Sequence, residues 1–353
     1  MDITAPAASA LQLIVPGQAS ARLEDTLRYA LDGLTYIRAA HIKELRPGPV
    51  LFAAPIGGSG VNFELYRLIE EMYRAPLSLA GCVGGVIVDG DGELFTKSVS
   101  RLLLFSANQQ GCVFPGQPLV EATGSLCNFT TRAAVGHSDK LAAYHLAARQ
   151  LVGRVLAFQR PQKKAPKLLV VHTGNRQTSN TMTLWGMVKA HLPSGMRIKE
   201  IALRNGAVAD CQGCGFTACR HMGEEGNCFY GGVMVDEVYP ALMDADALML
   251  LCPNYNDAVD ANMTAFINRL TAIYRTTRFY GRALFGIVVS GYSGGDIVAK
   301  QLISALNMNK SFHLPDRFCM LETANDPGSI RHVPGIETRA ADYAQRLAAH
   351  LLE

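Results

Sequence analysis

A stretch of this chain occurs twice. Residues Tyr73 to Glu121 lie on Tyr274 to Glu322 without a gap, at a constant offset of 201. Tyr73-Arg74 falls on Tyr274-Arg275, Gly85-Val86-Ile87-Val88 on Gly286-Ile287-Val288-Val289, Gly90 on Gly291, Asn108 on Asn309 and Glu121 on Glu322. Self-similarity at a fixed offset means that one structural plan is used twice. The chain is therefore expected to fold as two related domains, and only the second copy keeps a full set of loops able to hold a ligand.

The segment Gln159-Arg160-Pro161-Gln162-Lys163-Lys164-Ala165-Pro166 is polar, basic and interrupted twice by proline, which predicts a linker between domains 1–158 and 167–353. With 49% hydrophobic and 18% charged residues, both halves can bury a core, and disorder is excluded. The net charge of +3 is small, and no basic block goes beyond Lys163-Lys164, so neither nucleic acid nor an anionic membrane is an expected partner. No apolar run approaches the ~18 residues of a membrane span, and Met1 to Pro16 lacks the pattern of a secretory signal. A cytoplasmic location is the expectation. Nine cysteines without such a signal argue against a disulfide framework and turn attention to metal or redox chemistry.

In the second half, Leu168-Leu169-Val170-Val171 reads as a strand buried on both faces of a parallel sheet. Thr173 to Thr181 forms a polar loop into a helix that Ser179, Asn180 or Thr181 could cap. Further strands are predicted at Arg197–Leu203, Ala247–Cys252, Leu284–Ser290 and Phe318–Glu322, and helices at Val233–Met243, around Met263–Ile273, up to about Leu306 and at Ile336–Leu352. Buried strands alternating with helices give an α/β fold, here two doubly wound parallel-sheet domains, in which ligands sit beyond the carboxyl ends of the strands. The N-terminal domain is expected to be shortened and degenerate. It offers a strand at Leu11–Val15, a helix at Leu23–Ile37 and strands at Pro49–Ala54 and Gly85–Asp89, with no room for a second strand and helix between Arg38 and Gly48.

The loop Thr173-Gly174-Asn175-Arg176-Gln177-Thr178-Ser179-Asn180-Thr181 combines hydroxyls, one arginine and a helix N-terminus, a setting suited to a phosphate monoester. It lacks the P-loop pattern and the glycine fingerprint of dinucleotide folds. Asn254, Tyr255 and Asn256 offer an aromatic face and amides to a flat heteroaromatic ring, and the glycines at 291, 294 and 295 allow close backbone approach. Read alone, each loop is also compatible with a capped helix start or a tight turn.

Arg176-Gln177-Thr178-Ser179-Asn180-Thr181, then Cys211-Gln212-Gly213-Cys214, Ala245-Asp246 and Cys252-Pro253-Asn254-Tyr255 resemble the NADPH-dependent FMN reductase family and its iron-sulfur flavoprotein branch, over residues 167 to about 312. The resemblance implies that the two doubly wound parallel-sheet domains are flavodoxin-like, and that Arg176, Ser179, Asn180 and Thr181 hold the FMN phosphate. It further implies that Pro253, Asn254, Tyr255 and Asn256 contact the isoalloxazine ring, and that Ser290, Gly291, Tyr292, Ser293, Gly294 and Gly295 border its pyrimidine edge. Gly174 stands where the family usually has serine. NAD(P)H would be the hydride donor, with NADH and NADPH both open. A small-molecule or redox-protein acceptor would take the electrons: a quinone, a flavin, a metal or a protein. Because the flavin carries the chemistry, no catalytic acid or base is assigned. The alternative is a flavodoxin-type or iron-sulfur electron carrier without NAD(P)H activity.

Cys211, Cys214, Cys219 and Cys228 lie in one loop. Four thiolates can ligate a [4Fe-4S] cluster or a structural zinc, or they can remain thiols or a redox pair. The four residues Gly215 to Ala218 stand where the iron-sulfur branch has two. In the first half, Val15-Pro16-Gly17-Gln18-Ala19-Ser20 lacks the arginine and most of the hydroxyls, and Pro55-Ile56-Gly57-Gly58-Ser59-Gly60 lacks an aromatic residue, so one FMN per chain is expected. Family enzymes place the flavin beside a subunit interface. The expectation is either a homodimer or a first half that replaces the second subunit.

Overall fold

The computed structural model describes residues 10–175 and 177–353. The chain divides into two compact units after Phe158.

The first unit runs β1 (Leu11–Ile14), α1 (Ala21–Leu31), β2 (Tyr36–Ala39), β3 (Gly48–Ile56), α2 (Phe63–Tyr73), β4 (Cys82–Gly90), α3 (Thr96–Gln109), β5 (Leu119–Ala122), α4 (Thr130–Val135) and α5 (Lys140–Leu156). All pairings are parallel, in the order β2-β1-β3-β4-β5 of a flavodoxin-like sheet. The second strand, for which the sequence seemed to leave no room, is present. Gly33, at a φ of 77°, ends α1 in the left-handed conformation that follows many helices, and the chain then pairs Tyr36 with Leu11. Its side chains are exposed, with Ile37 at 59%, so no buried periodicity marks this edge strand. The unit is shortened in another way: a single 3-10 turn, Ile42–Glu44, stands where a helix would connect β2 to β3.

The second unit runs β6 (Lys167–His172), α6 (Asn180–Ala190), β7 (Arg197–Ala202), α7 (Phe216–Glu224), α8 (Tyr239–Asp244), β8 (Ala247–Pro253), α9 (Ala261–Arg269), α10 (Thr271–Tyr274), β9 (Ala283–Ser290), α11 (Gly295–Leu302), β10 (Cys319–Thr323) and α12 (Ile336–Leu351). Its order, β10-β9-β8-β6-β7, is the same. Leu168 and Val170 pack with Leu184, Trp185 and Val188 of α6 and with Tyr343 and Leu347 of α12. Leu169 and Val171 are equally buried and alternate to the other face. The Tyr343 hydroxyl reaches Gly286 O at 2.9 Å and Phe318 O at 2.8 Å, tying α12 to β9 and to the entry of β10. Residues 159–166 belong to this unit: Lys163 N donates to Leu351 O at 2.8 Å and Gln162 Nε2 to Leu352 O at 2.7 Å. Among the described residues, no helix is long and apolar enough to cross a membrane.

The two copies correspond, with a different register from the one the bare sequences give. Val86 N donates to Pro118 O and Gly286 N to Phe318 O, and Val113 N donates to Cys82 O as His313 N does to Arg282 O. Every one of these partners differs by 200, not 201. The slip matters because adjacent strand residues face opposite sides. A side chain on Gly85 would meet Leu151 and Val155 of α5, whereas one on Gly286 would meet Cys319 and Leu302. Asn108 bonds Cys112 O at 2.9 Å, and its counterpart in role is the buried Asn307, bonding Phe312 O at 2.7 Å, rather than the exposed Asn309.

Candidate functional site

The loops after β6, β8 and β9 leave the carboxyl edge of the second sheet on adjacent strands, which brings the three sequence-predicted segments together. Ser179 is the N-cap of α6, its hydroxyl accepting from Met182 N at 3.3 Å. The amides of Asn180 and Thr181, in the first turn, have no carbonyl to meet within the helix and carry its positive dipole end. Gln177 N donates to Asn175 Oδ1 at 2.9 Å, and Ser179 N to Asn175 O at 3.0 Å, so the loop is wound on Asn175. Gly174 has a steric cause, since a Cβ there would sit 2.8 Å from Ser179 Oγ and 3.2 Å from Met182 Cγ. Arg176 lies outside the described residues. A cavity of about 530 Å³ opens between this loop and the end of β7, lined by His172, Thr173, Asn175, Gln177, Arg204 and Asn205 among others.

Two expected phosphate ligands have other duties. The Asn180 amide donates to Ala324 O at 3.1 Å and Asp326 O at 2.8 Å, clipping α6 to the loop after β10. Thr181 is buried. Ser179, the helix amides and the Thr178 hydroxyl are the groups left to face an anion, since the Thr173 hydroxyl donates to Asp260 Oδ2.

Pro253 closes β8 in register with Val289. Asn254 then joins the second loop to the third: its N–H donates to Val289 O at 3.0 Å, and its Nδ2 to Ser290 Oγ at 3.2 Å, Ser293 O at 2.9 Å and Asp257 Oδ1 at 3.2 Å. Its Oδ1 is buried and has no hydrogen-bond partner among the described residues. Tyr255 and Tyr292 are exposed, the latter at 81%, so both rings are open to solvent. Asn256 and Asp257 have φ of 54° and 55°, two successive left-handed residues. Gly294 has φ 82°, and any side chain there would strike the Asp257 carboxylate; one on Gly291 would come within 2.8 Å of Asn325 Oδ1. Gly295 opens α11 against Ser290 Oγ. Beneath the loops, Cys252 is fully buried, and burial pushes its thiol well above the usual range, so it stays neutral.

The sequence reading passed over Asp257, Asp260 and Gln301. Asp260 caps α9 through Met263 N at 3.0 Å and accepts from Thr173 Oγ1 at 2.8 Å, joining the first loop to the second. An aspartate three residues ahead of the apolar stripe at Met263 is the signal that could have found it. Gln301, inside a helix, has no local signature.

Cys211, Cys214, Cys219 and Cys228 line one cavity of about 380 Å³ with Met222, Phe229 and other side chains. Beside it the buried Arg269 guanidinium donates to Gly231 O at 2.7 Å and Ala209 O at 3.5 Å, pinning both ends of the cysteine loop. The four do not stand as an assembled ligand set: among the described residues, no three His, Cys, Asp or Glu side chains form a group that could hold a metal ion. The extra residues between Cys214 and Cys219 start α7, which carries Cys219 on a helix while Cys211 and Cys214 stay in irregular chain.

In the first unit the corresponding edge is knotted. Arg22, in the first turn of α1, donates from Nε to Asp89 Oδ2 at 2.9 Å and from Nη2 to Asp89 Oδ1 at 3.1 Å and Gly90 O at 2.8 Å. Its Nη1 reaches Thr123 O at 3.1 Å and Gly124 O at 3.0 Å, the place that the Asn180 amide takes at Ala324 in the second unit. A cavity of about 420 Å³ remains between Gly17–Ser20 and Pro55–Asn62, and the charged group lining it is Asp91, which opposes a phosphate.

The model of the family described as NADPH-dependent FMN reductase matches residues 166–326. Among solved structures, the chain is similar to an FMN-dependent NADH-azoreductase from Bacillus anthracis in complex with FMN, at 13% identity over 52% of this chain and 99% of that one, with a TM-score of 0.36. It is also similar to an NAD(P)H:quinone oxidoreductase from Methanothermobacter marburgensis, at 15% identity over 52% and 97%, with a TM-score of 0.41. Likenesses this distant do not carry an activity across. No curated protein matches the sequence. With its loops in place at the carboxyl edge of the sheet, the second unit is where the chain resembles the family described as NADPH-dependent FMN reductase, whose model spans residues 166–326, a little under half of the chain.

Proposed function

We propose that the chain is an NAD(P)H-dependent FMN oxidoreductase holding one FMN in its second unit and passing electrons to a quinone, flavin, metal or protein acceptor. The observation that carries the reading is the convergence of a capped helix N-terminus, an amide-bearing aromatic loop and a glycine loop on adjacent strands. The residues fit the cofactor. The buried Asn254 Oδ1 lacks a donor, and Gly291 and Gly294 leave space that a side chain would fill. When bound, FMN accepts hydride and releases electrons, while the chain binds, orients and shields it. Ser179, accepting from Met182 N through one lone pair, keeps its O–H to donate to a phosphate oxygen, and the α6 amides add theirs. Asn254 holds the second and third loops at one spacing, and Tyr255 and Tyr292 offer faces to a flat ring or an incoming aromatic substrate.

The deciding experiment is an anaerobic absorption spectrum with addition of NADPH or NADH. Flavin bands that bleach with nicotinamide support the reductase. Bands that stay oxidised favour the carrier reading, and no flavin after reconstitution overturns both. Iron and acid-labile sulfide assays on the same sample decide the cluster, for which the structure offers a shared cavity without an assembled ligand set. Ser179→Ala is expected to weaken FMN binding about tenfold while leaving riboflavin binding within about twofold, since one charge-assisted hydrogen bond to phosphate is lost. Fluorescence titration of both flavins reads the difference.

A further inference from the structure

Gln301 lies on α11, outside all three loops, yet its side-chain amide grips the second of them. Its Nε2 donates to Asp257 O at 3.1 Å and its Oε1 accepts from Val259 N at 2.9 Å. This is the pairing a neighbouring strand would offer, delivered by one side chain to alternate backbone residues. The segment it holds is the one that needs holding. Asn256 and Asp257 are successive non-glycine residues in the left-handed region, an arrangement that costs free energy at each and persists only where surroundings enforce it. The Asp257 carboxylate lies against the backbone of Gly294 and accepts from Asn254, so the position of Asp257 fixes the third loop as well.

We propose that Gln301 is a positioning residue for the flavin ring, clamping the strained loop 256–259 so that the loops after β8 and β9 keep the spacing of a planar heteroaromatic ligand. The inference rests on the FMN reading above and deepens it. It separates the ring subsite, governed by Gln301, from the phosphate subsite at α6, which Gln301 does not touch.

The test is flavin titration of the full chain as wild type, Gln301→Met and Gln301→Glu. Methionine keeps the length and bulk of the side chain and removes both hydrogen bonds, whereas glutamate keeps the acceptor for Val259 N and loses the donor to Asp257 O. Gln301→Met is expected to weaken FMN and riboflavin alike, each by about tenfold, so that the ratio of the two dissociation constants is unchanged; Gln301→Glu should fall between it and wild type. The bound-flavin absorption band should also shift toward that of free flavin in Gln301→Met. A purely structural role would lower the melting temperature and leave the affinity of the folded protein alone. Wild-type affinity in Gln301→Met, or a loss confined to FMN, overturns the inference while the FMN reading stands. A wild-type chain that takes up neither flavin overturns both. Should Gln301→Met fail to fold, Gln301→Glu decides on the same readouts.

Discussion

Exchanging Asp89 for alanine is expected to destabilise the first unit by about 3–5 kcal/mol, the cost of breaking a buried pair and leaving its partner uncompensated. The Asp89 side chain is 1% exposed and accepts two bonds from Arg22 and one from Ser20 Oγ at 3.0 Å. Without it, the Arg22 guanidinium retains carbonyls alone, at Gly90, Thr123 and Gly124. One change thus loosens α1 from the ends of β4 and β5. Asp89→Asn, which keeps an acceptor and drops the charge, should lose less. Urea unfolding followed by circular dichroism measures both, and a cost under about 1 kcal/mol for alanine would show that the knot contributes little.

Acid is expected to destabilise the second unit through a pair of buried histidines. His313 Nε2 and His350 Nε2 lie 3.0 Å apart, and His313 Nδ1 is 3.2 Å from Tyr280 O. A carbonyl only accepts, so Nδ1 of His313 carries its proton, its Nε2 is bare, and His350 supplies the shared proton from Nε2. A second proton would put a charge on a buried ring pair packed against Phe285. Burial, aided by His350, pushes His313 down to about 3; burial, aided by Arg160, pushes His350 down to about 4. Because the folded state binds fewer protons than the unfolded chain below the ordinary histidine value, stability is full above about pH 6.5 and falls as pH drops toward 4. Each ring contributes a slope of about 1.4 kcal/mol per pH unit in that window. His350→Phe should remove about half of the combined slope. Urea midpoints measured at intervals from pH 7 to 4 test this, and equal slopes for variant and wild type would sink the assignment.

How far the sequence could be read depended on whether a residue's role was set locally. Leu168 to Val171 showed as a strand because burial on both faces leaves four apolar residues in a row. Ser179 showed as a cap because the chemistry of a helix start is local. β2 did not show, because Tyr36 to Arg38 are exposed on an edge and their order comes from pairing with β1. The repeat was legible and its register was not, since the hydrogen bonds that set the offset at 200 join segments far apart in the chain. Asn180 has the residue type of a ligand and spends its amide on the backbone of another loop, while Gln301 looks like a solvated helix position and grips the ring loop. Both assignments depend on contacts made across many residues of chain, which a single sequence does not display.

Helix α9 acts as a spacer between two kinds of chemistry. It starts at Asp260, bonded to Thr173 of the loop after β6, and ends at Arg269, which borders the cysteine cavity. At 1.5 Å per residue its length is about 13 Å. Hydride moves only between atoms in contact, whereas an electron can tunnel across such a gap. Were a flavin held at the sheet edge as proposed and a second redox group held in the cysteine cavity, a separation of that order would suit transfer of single electrons rather than of hydride. Alkylating those thiols should accordingly leave reduction by nicotinamide intact and affect only what happens to the electrons afterwards.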